Sequence, residues 1–312
     1  MKRAQFCAAL APLALAPLGA PAPAAAQADN VIHVGVSPFE AHGDAYYALD
    51  QGYFKKAGLN VDIQQYQGGS AIVTAIIGGA LQIGAGNPLP LAQARQRGLN
   101  VVLIAPGYVY DATAPALIDA MVVAVKSPLK KASDFNGKTI AVTGVRGLDQ
   151  IAAFAWFDQH GGDSNTVKVV EIPQPAMVDA VAAGRVDAAM VSDPFLSDGI
   201  ADGKVQLFEK VYESFGKRIF VSTWFASQDW ADHNPDLARK FAGAINDASA
   251  WAVKNPEAAA AVLQKYMKVT FTRAHEYHSR TLDPALIQPI LDGAAKYKII
   301  EPMKATDLIW KG

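Results

Sequence analysis

Residues 31–66 read VIHVGVSPFEAHGDAYYALDQGYFKKAGLNVDIQQY, and the order of apolar runs in this stretch decides the fold. Val31 to Val36 is short and rich in β-branched residues, which predicts a strand. Asp44 to Ala57 predicts a helix with Ala45, Ala48, Leu49 and Tyr53 near one face. Gly58 stops it, as a glycine just past a helix end does. Val61 to Tyr66 then predicts a second strand. Outward from there, Ser70 to Gly79 predicts a helix capped by Ser70. Leu81 to Ala85 is a strand, Pro88 to Arg97 a helix and Val101 to Ala105 a strand. This alternation predicts an α/β fold, a mainly parallel sheet with helices on both faces.

A second series repeats the pattern. Met121 to Val125, Thr139 to Thr143, Val167 to Ile172 and Ala188 to Val191 are predicted strands, with helices over Leu148 to His160 and Ala176 to Ala183. A run from Phe220 to Ala226 leads into a helical C-terminal region, interrupted near Pro256 and around Val269 to Thr272. Tyr110 to Ala116 and Tyr212 to Lys217 lack periodicity and read as connections. Two crossings make the second series an insertion. The expected division is a first lobe over residues 29–115 and 219–312, and a second over 116–218, joined by a two-segment hinge. A chain of 312 residues is long enough for two such lobes.

The leader reads differently. Met1, Lys2 and Arg3 precede an apolar, Ala/Leu/Pro-rich stretch from Phe6 to Ala26, and Ala26-Gln27-Ala28 places small residues before Asp29. This is the layout of a cleavable secretory signal peptide over residues 1–28. Four prolines in that stretch argue against a stable spanning helix, and no later run is long enough to cross a bilayer. The mature chain is therefore expected in the periplasm, without stable membrane insertion. Cys7 is the single cysteine and lies in the leader, so no disulfide, thiolate metal site or cysteine nucleophile is expected after cleavage. The composition is 51% hydrophobic and 18% charged, with net charge −1, which fits a globular protein and gives no basic excess for nucleic acid.

In open parallel sheets ligands bind beyond the carboxyl ends of the strands. The loops there hold Ser37, Phe39, Glu40 and His42 after the first strand, and Gly68-Gly69-Ser70 after the second. Gly86-Asn87 follows the third, and Tyr108 lies after the fourth. In the second series they hold Thr143-Gly144-Val145-Arg146-Gly147 and Ser192-Asp193-Pro194-Phe195. On the return to the first they hold Ser222-Thr223-Trp224. Glycine lets a backbone approach a ligand, and a helix N-terminus offers free N–H groups to an anion or a carbonyl oxygen. Arg146 adds a fixed cation, and Asp193 accepts from an amine or a hydroxyl. Phe39, Tyr108 and Trp224 stack on a ligand or fill the core; the glycine loops bind or merely turn the chain. Both pairs of readings stay open at this point. No catalytic motif is present: no Gly-x-Ser-x-Gly elbow, no P-loop lysine and no zinc-spaced His-Glu-x-x-His. His275-Glu276-Tyr277-His278 has the wrong spacing and reads as a helix face. No metal or cofactor is expected, and the protein is expected not to be an enzyme.

With these loops placed, the chain resembles the periplasmic solute-binding proteins of ABC importers for aliphatic sulfonates, taurine and nitrate-like solutes, a group related to thiamine-pyrimidine proteins. The markers are Tyr46 to Leu59 with the following strand; Gly68-Gly69-Ser70 with Ala80 to Gly84 and Asn87; Asp134 to Val142; and Val178 to Ala189 with Asp193-Pro194-Phe195. The resemblance covers essentially the whole mature chain. It implies a type II periplasmic-binding fold that closes like a hinge on a small organic solute, anionic or zwitterionic. It also implies a monomer that works with a permease and an ATPase supplied by other chains. Carried over by position, Ser37, Phe39, Gly69, Ser70, Asn87, Thr143, Asp193 and Trp224 would face the ligand. Arg146 and the loop Pro38 to His42 depart from the family pattern. The thiamine-pyrimidine enzyme of this fold needs cysteines the mature chain lacks. A regulator's effector domain would carry a helix-turn-helix where the leader stands. A periplasmic sensor that presents its solute to a receptor remains the alternative.

Overall fold

The computed structural model describes residues 31–38, 40–114, 119–268 and 278–312. The expected signal peptide, Phe39, the first lobe boundary at 115/116 and most of the 275–278 motif lie outside the described residues. Residues 31–312 form one compact unit. The strands are β1 Val31–Val36, β2 Asn60–Gln65, β3 Ile83–Gly86, β4 Val101–Pro106, β5 Val109–Asp111, β6 Asp119–Ala124, β7 Thr139–Val142, β8 Lys168–Glu171, β9 Ala188–Ser192, β10 Val205–Glu209, β11 Arg218–Phe220 and β12 Thr223–Ser227.

They make two five-stranded sheets, ordered β2-β1-β3-β12-β4 and β10-β6-β9-β7-β8, plus a two-stranded ribbon of β5 and β11. Each large sheet is parallel except for one strand. In the first, β1 runs parallel to β2 and β3, while β12 runs antiparallel to both β3 and β4. In the second, β7 runs parallel to β8 and β9, while β6 runs antiparallel to β9 and β10. The mainly parallel α/β architecture expected from the alternation is present. The reversals were not foreseen, because a strand's direction leaves no mark on its periodicity.

Three apolar clusters hold these layers. One face of the first sheet packs Val34, Val36 and Trp224 against the helices Gly43–Asp50, Pro235–Lys254 and Pro256–Met267, through residues such as Tyr47, Phe241 and Leu263. One face of the second sheet packs against Gln174–Ala182 and Phe195–Ala201, through Met177, Val181 and Leu196. The third cluster is shared. It runs from Ile72 and Leu103 through Tyr110 and Met121 to Phe157, Phe220 and Leu291, and so joins the elements of both sheets.

Several local expectations are corrected. The helix expected over 44–57 is two, Gly43–Asp50 and Tyr53–Lys56, because Gly52 takes a left-handed φ of 73° between them. Leu49 is 36% exposed and does not share the buried face of Ala45 and Ala48. The helix Gly69–Ile77 has Gly68 at its cap, so Ser70 lies inside the first turn and caps nothing. The run 220–226 is split between β11 and β12. Strands β5 and β10 and the helix Phe195–Ala201 were not anticipated; each is short or mixed in polarity, too little for either periodicity to register.

Gly84 sits in β3 where the helix Gly69–Ile77 presses on the sheet. A Cβ there would lie 2.2 Å from Ile72 Cγ2 and 3.0 Å from Ile76 Cδ1. Ile72 is fully buried and its branch point cannot swing away. Gly84→Ala is expected to destabilise the protein by about 1–3 kcal/mol, read as a lower urea midpoint at unchanged m-value.

Candidate functional site: a cleft lined by carboxylates

A cavity of about 170 Å³ opens where the loops of the two sheets meet. The strand order explains its wall. Ser37, Pro38 and Glu40 follow β1, Gln67 to Gly69 follow β2, and Asn87 follows β3. Thr143 follows β7, Glu171 ends β8, and Ser192 and Asp193 lie at the end of β9. All are carboxyl ends of parallel strands, as expected for an open sheet. The reversed strands add their amino ends to the same edge. Asp119 begins β6 and Val221 precedes β12, and both line the cavity.

Of the thirteen candidate residues, Ser37, Glu40, His42, Gly69, Asn87, Thr143, Ser192 and Asp193 are brought together on this wall. Ser70 is exposed beside it and is not part of the lining. Tyr108 is core: 1% exposed, it meets the His278 ring edge-on at 6.2 Å. Trp224 is also core, packed on Phe241, and its Nε1 donates to Asp44 Oδ2 at 3.0 Å. A buried indole needs a partner for its N–H, and the buried Asp44 supplies it. Arg146 points away from the cavity. Its Nη2 donates to the carbonyls of Lys298 at 3.2 Å and Ile299 at 3.0 Å, and its own carbonyl accepts from Gln93 Nε2 at 3.1 Å. Phe39 lies outside the described residues.

Sequence reasoning missed Asp119, Asp149, Glu171, Gln174 and Tyr212, all on the wall. Asp119 lies at the start of a strand rather than at its end. Asp149 sits in the first turn of the helix Leu148–Gln159, where its charge also favours the helix N-terminus. Its Oδ2 accepts from Thr143 Oγ1 at 2.7 Å and its Oδ1 from Tyr212 Oη at 2.6 Å. Ser192 Oγ donates to Asp119 Oδ1, and Gln174 braces Ser192 by exchanging hydrogen bonds with it. Asp193 Oδ1 accepts from the backbone and hydroxyl of Ser197 at 2.9 and 2.8 Å. Ser37 N–H donates to His42 Nδ1 at 2.8 Å, and Gly68 N–H to Ser37 Oγ at 3.3 Å. Asn87 Oδ1 caps its helix through Leu89 N–H at 3.1 Å.

The electrostatics follow from this packing. Burial holds the His42 imidazole neutral, pulling its pKa down to about 4 against a smaller opposing effect of the Ser37 carbonyl, 3.3 Å from Nδ1. Burial pushes the Asp119 carboxyl well up. Its bond from Ser192 opposes the rise, and the charges of Asp149, Asp193 and Glu40 add to it.

The family profile described as NMT1/THI5 like matches residues 40–259. The taurine-binding periplasmic protein of Escherichia coli (strain K12) is 27% identical over 210 residues, which is 67% of this chain and 62% of that protein, so less than two thirds of its length is spanned. Among solved structures, the alkanesulfonate-binding protein SsuA from Xanthomonas axonopodis pv. citri bound to MOPS superposes with a TM-score of 0.75 at 16% identity. That match covers 90% of this chain and 98% of the other. The same fold also carries chemistry elsewhere: the desulfurization enzyme DSZB superposes at 0.64 with 15% identity, covering 89% of this chain and 95% of that one. Among the described residues no helix is long and apolar enough to cross a membrane.

Two opposite pH effects are expected. His42 binds its proton near pH 6.5 when unfolded and near 4 when folded, so stability is lost as pH falls through that window, by about 3 kcal/mol for this group alone. Asp119 is raised, so it weakens the ligand-free protein as pH rises above the ordinary carboxylate range of about 4. In Asp119→Asn that alkaline loss should shrink, so the variant's melting temperature relative to the parent's should rise from pH 5 to pH 8. A constant gap would show that the carboxyl titrates alike in the folded and unfolded chain.

Proposed function

The chain belongs to the NMT1/THI5-like family, and from that premise we propose that it is an exported solute-binding protein that delivers a small organic molecule to an ABC importer. The observation that carries the reading is the cavity itself. It is bordered by strand ends of both sheets, which is where a two-lobed binder closes on its solute. The leader over residues 1–28 is removed on export and the mature chain works in the periplasm. The lobes are residues 29–115 with 219–312, and 116–218. Ser37, Gly69 and Asn87 receive the solute on the first lobe, and Thr143, Ser192 and Asp193 close over it from the second. No residue on the wall is assigned a catalytic step.

Of the two solute charges expected from sequence, the anionic one leaned on Arg146. Its guanidinium is engaged with Lys298 and Ile299, away from the wall. The permease and ATPase are separate chains, and the closed form is the surface they would read.

The reading is tested on the mature chain, starting at Asp29. A cognate solute at 100 times its dissociation constant should stabilise it by about 2.7 kcal/mol in a thermal melt. Uptake of that solute should then require this chain together with a permease and an ATPase in reconstituted vesicles. Uptake that proceeds unchanged without the chain would sink the importer role.

A further inference from the structure

The loop Thr143 to Gly147 follows β7 in the second sheet, and the helix Pro88–Gln96 follows β3 in the first. Thr143 and Asn87, where loop and helix begin, both line the cavity. A step further out the two elements are fastened to each other. Gln93 Nε2 donates to the Arg146 carbonyl at 3.1 Å, and Arg146 Nη2 donates to the carbonyls of Lys298 and Ile299. Residues 298–301 are themselves held on the helix that carries Gln93. One turn along it, Gln96 Oε1 accepts from Glu301 N–H at 2.8 Å, and Gln96 Nε2 donates to the Glu301 carbonyl at 2.7 Å. From the other side, Tyr297 Oη donates at 2.8 Å to Asp158 Oδ2, on the helix Leu148–Gln159 that follows the Arg146 loop. Arg146 thus completes a ring of contacts between elements of the two sheets, at the rim of the gap.

We infer that Arg146 is a positioning residue for solute binding: it acts without meeting the solute, as a clasp that holds the two lobes closed over the cavity. Its purpose rests on the solute-binding reading; its geometry does not. A guanidinium is planar and presents its donors in a fixed fork, which suits two successive backbone carbonyls. The loop is set for this contact. Arg146 holds a left-handed φ of 63°, and its N–H donates to Gln150 Oε1 at 2.6 Å, which pins the loop to the helix behind it. A backbone of that kind costs free energy and persists only where its surroundings hold it. If the loops of the second sheet swung away from the first, the bonds from Gln93 and to residues 298–299 would stretch past hydrogen-bonding distance together. A clasp that fills the closed form before solute arrives spares the solute the cost of closing, and so tightens binding from a distance. Arg146 is exposed, so water competes for each of its bonds and the clasp can still release.

The test is a distance measurement on the ligand-free mature chain. Cys7, the single cysteine, lies outside it, so Ser70→Cys and Ala176→Cys supply the two thiols for spin labels. Both positions are exposed, Ser70 beside Gly69 on one side of the cavity and Ala176 beside Pro175 on the other. Pulsed dipolar spectroscopy of this pair should give one short, narrow distance. Adding Arg146→Ala should raise the ratio of open to closed chains about tenfold, read as a second distance longer by several ångströms. Gln93→Ala removes one bond to the loop and should raise the ratio about threefold. Thermal melts of both variants should stay cooperative and close to the parent's, because these are surface contacts. An Arg146→Ala distribution that coincides with the parent's, or a parent already dominated by the longer distance, would overturn the clasp and leave the solute-binding reading standing. Lengthening that comes with loss of the cooperative melt would overturn it too, since Arg146 would then be holding the fold and not the gap. The measurement needs no solute, so failure to find one would leave the clasp in place.

Discussion

The cleft exists because the chain crosses between the two sheets twice and the two crossings are tied together. β5 and β11 pair antiparallel, with Tyr110 opposite Ile219, and Ala112 N–H extends the ladder to Lys217 O at 2.8 Å. Arg218 and Asp111 add an ion pair at 3.3 Å, half exposed on the arginine side and so worth little on its own. The backbone bonds do the tying. Beside them the shared apolar cluster binds the elements of both sheets, with Phe154 edge-on to Tyr297 at 5.7 Å. With the crossings fixed in this way, the sheets have one edge each to present to a common gap. The strand-end loops meet there.

That geometry concentrates charge. Loops at the edge of each sheet bring carboxylates to the same small volume. Burial sets both titrations: Asp119 resists ionising, and His42 resists protonation. Hydrogen bonds from Ser192, Ser197, Thr143 and Tyr212 hold Asp119, Asp193 and Asp149 in place.

The fold was legible because its signals are repetitive. Short apolar runs alternate with longer amphipathic ones through both series, and Gly52, Gly58 and Gly68 punctuate them where the backbone turns left-handed. Short strands such as β5 were not legible, since three residues cannot establish a period. The site was half legible. Loops after parallel strands could be named in advance, and Ser37, Asn87, Thr143 and Asp193 are on the wall. Asp119 was hidden by a reversed strand that brings its amino end to the same edge. Tyr108 and Trp224 could equally stack on a ligand or fill the core, because an aromatic next to a cleft and one in the core have the same sequence signature. What distinguishes Trp224 is Asp44, 180 positions away in the chain.

Arg146 shows why ligand charge is harder to read than fold. Its loop stands at the rim of the gap, and a cation there reads naturally as an anion receptor. The left-handed backbone at Arg146, φ 63°, turns the loop so that both its carbonyl and its guanidinium meet other segments, Gln93 on one side and residues 298–299 on the other. A side chain that spans to backbone carbonyls no longer offers its charge to a solute. Among the described residues the wall then carries five carboxylates, although the chain as a whole is nearly neutral. The alkanesulfonate-binding neighbour shares the fold at 16% identity, because apolar cores set it. The loop residues that border the gap are under no such core constraint, so one fold can carry different sites.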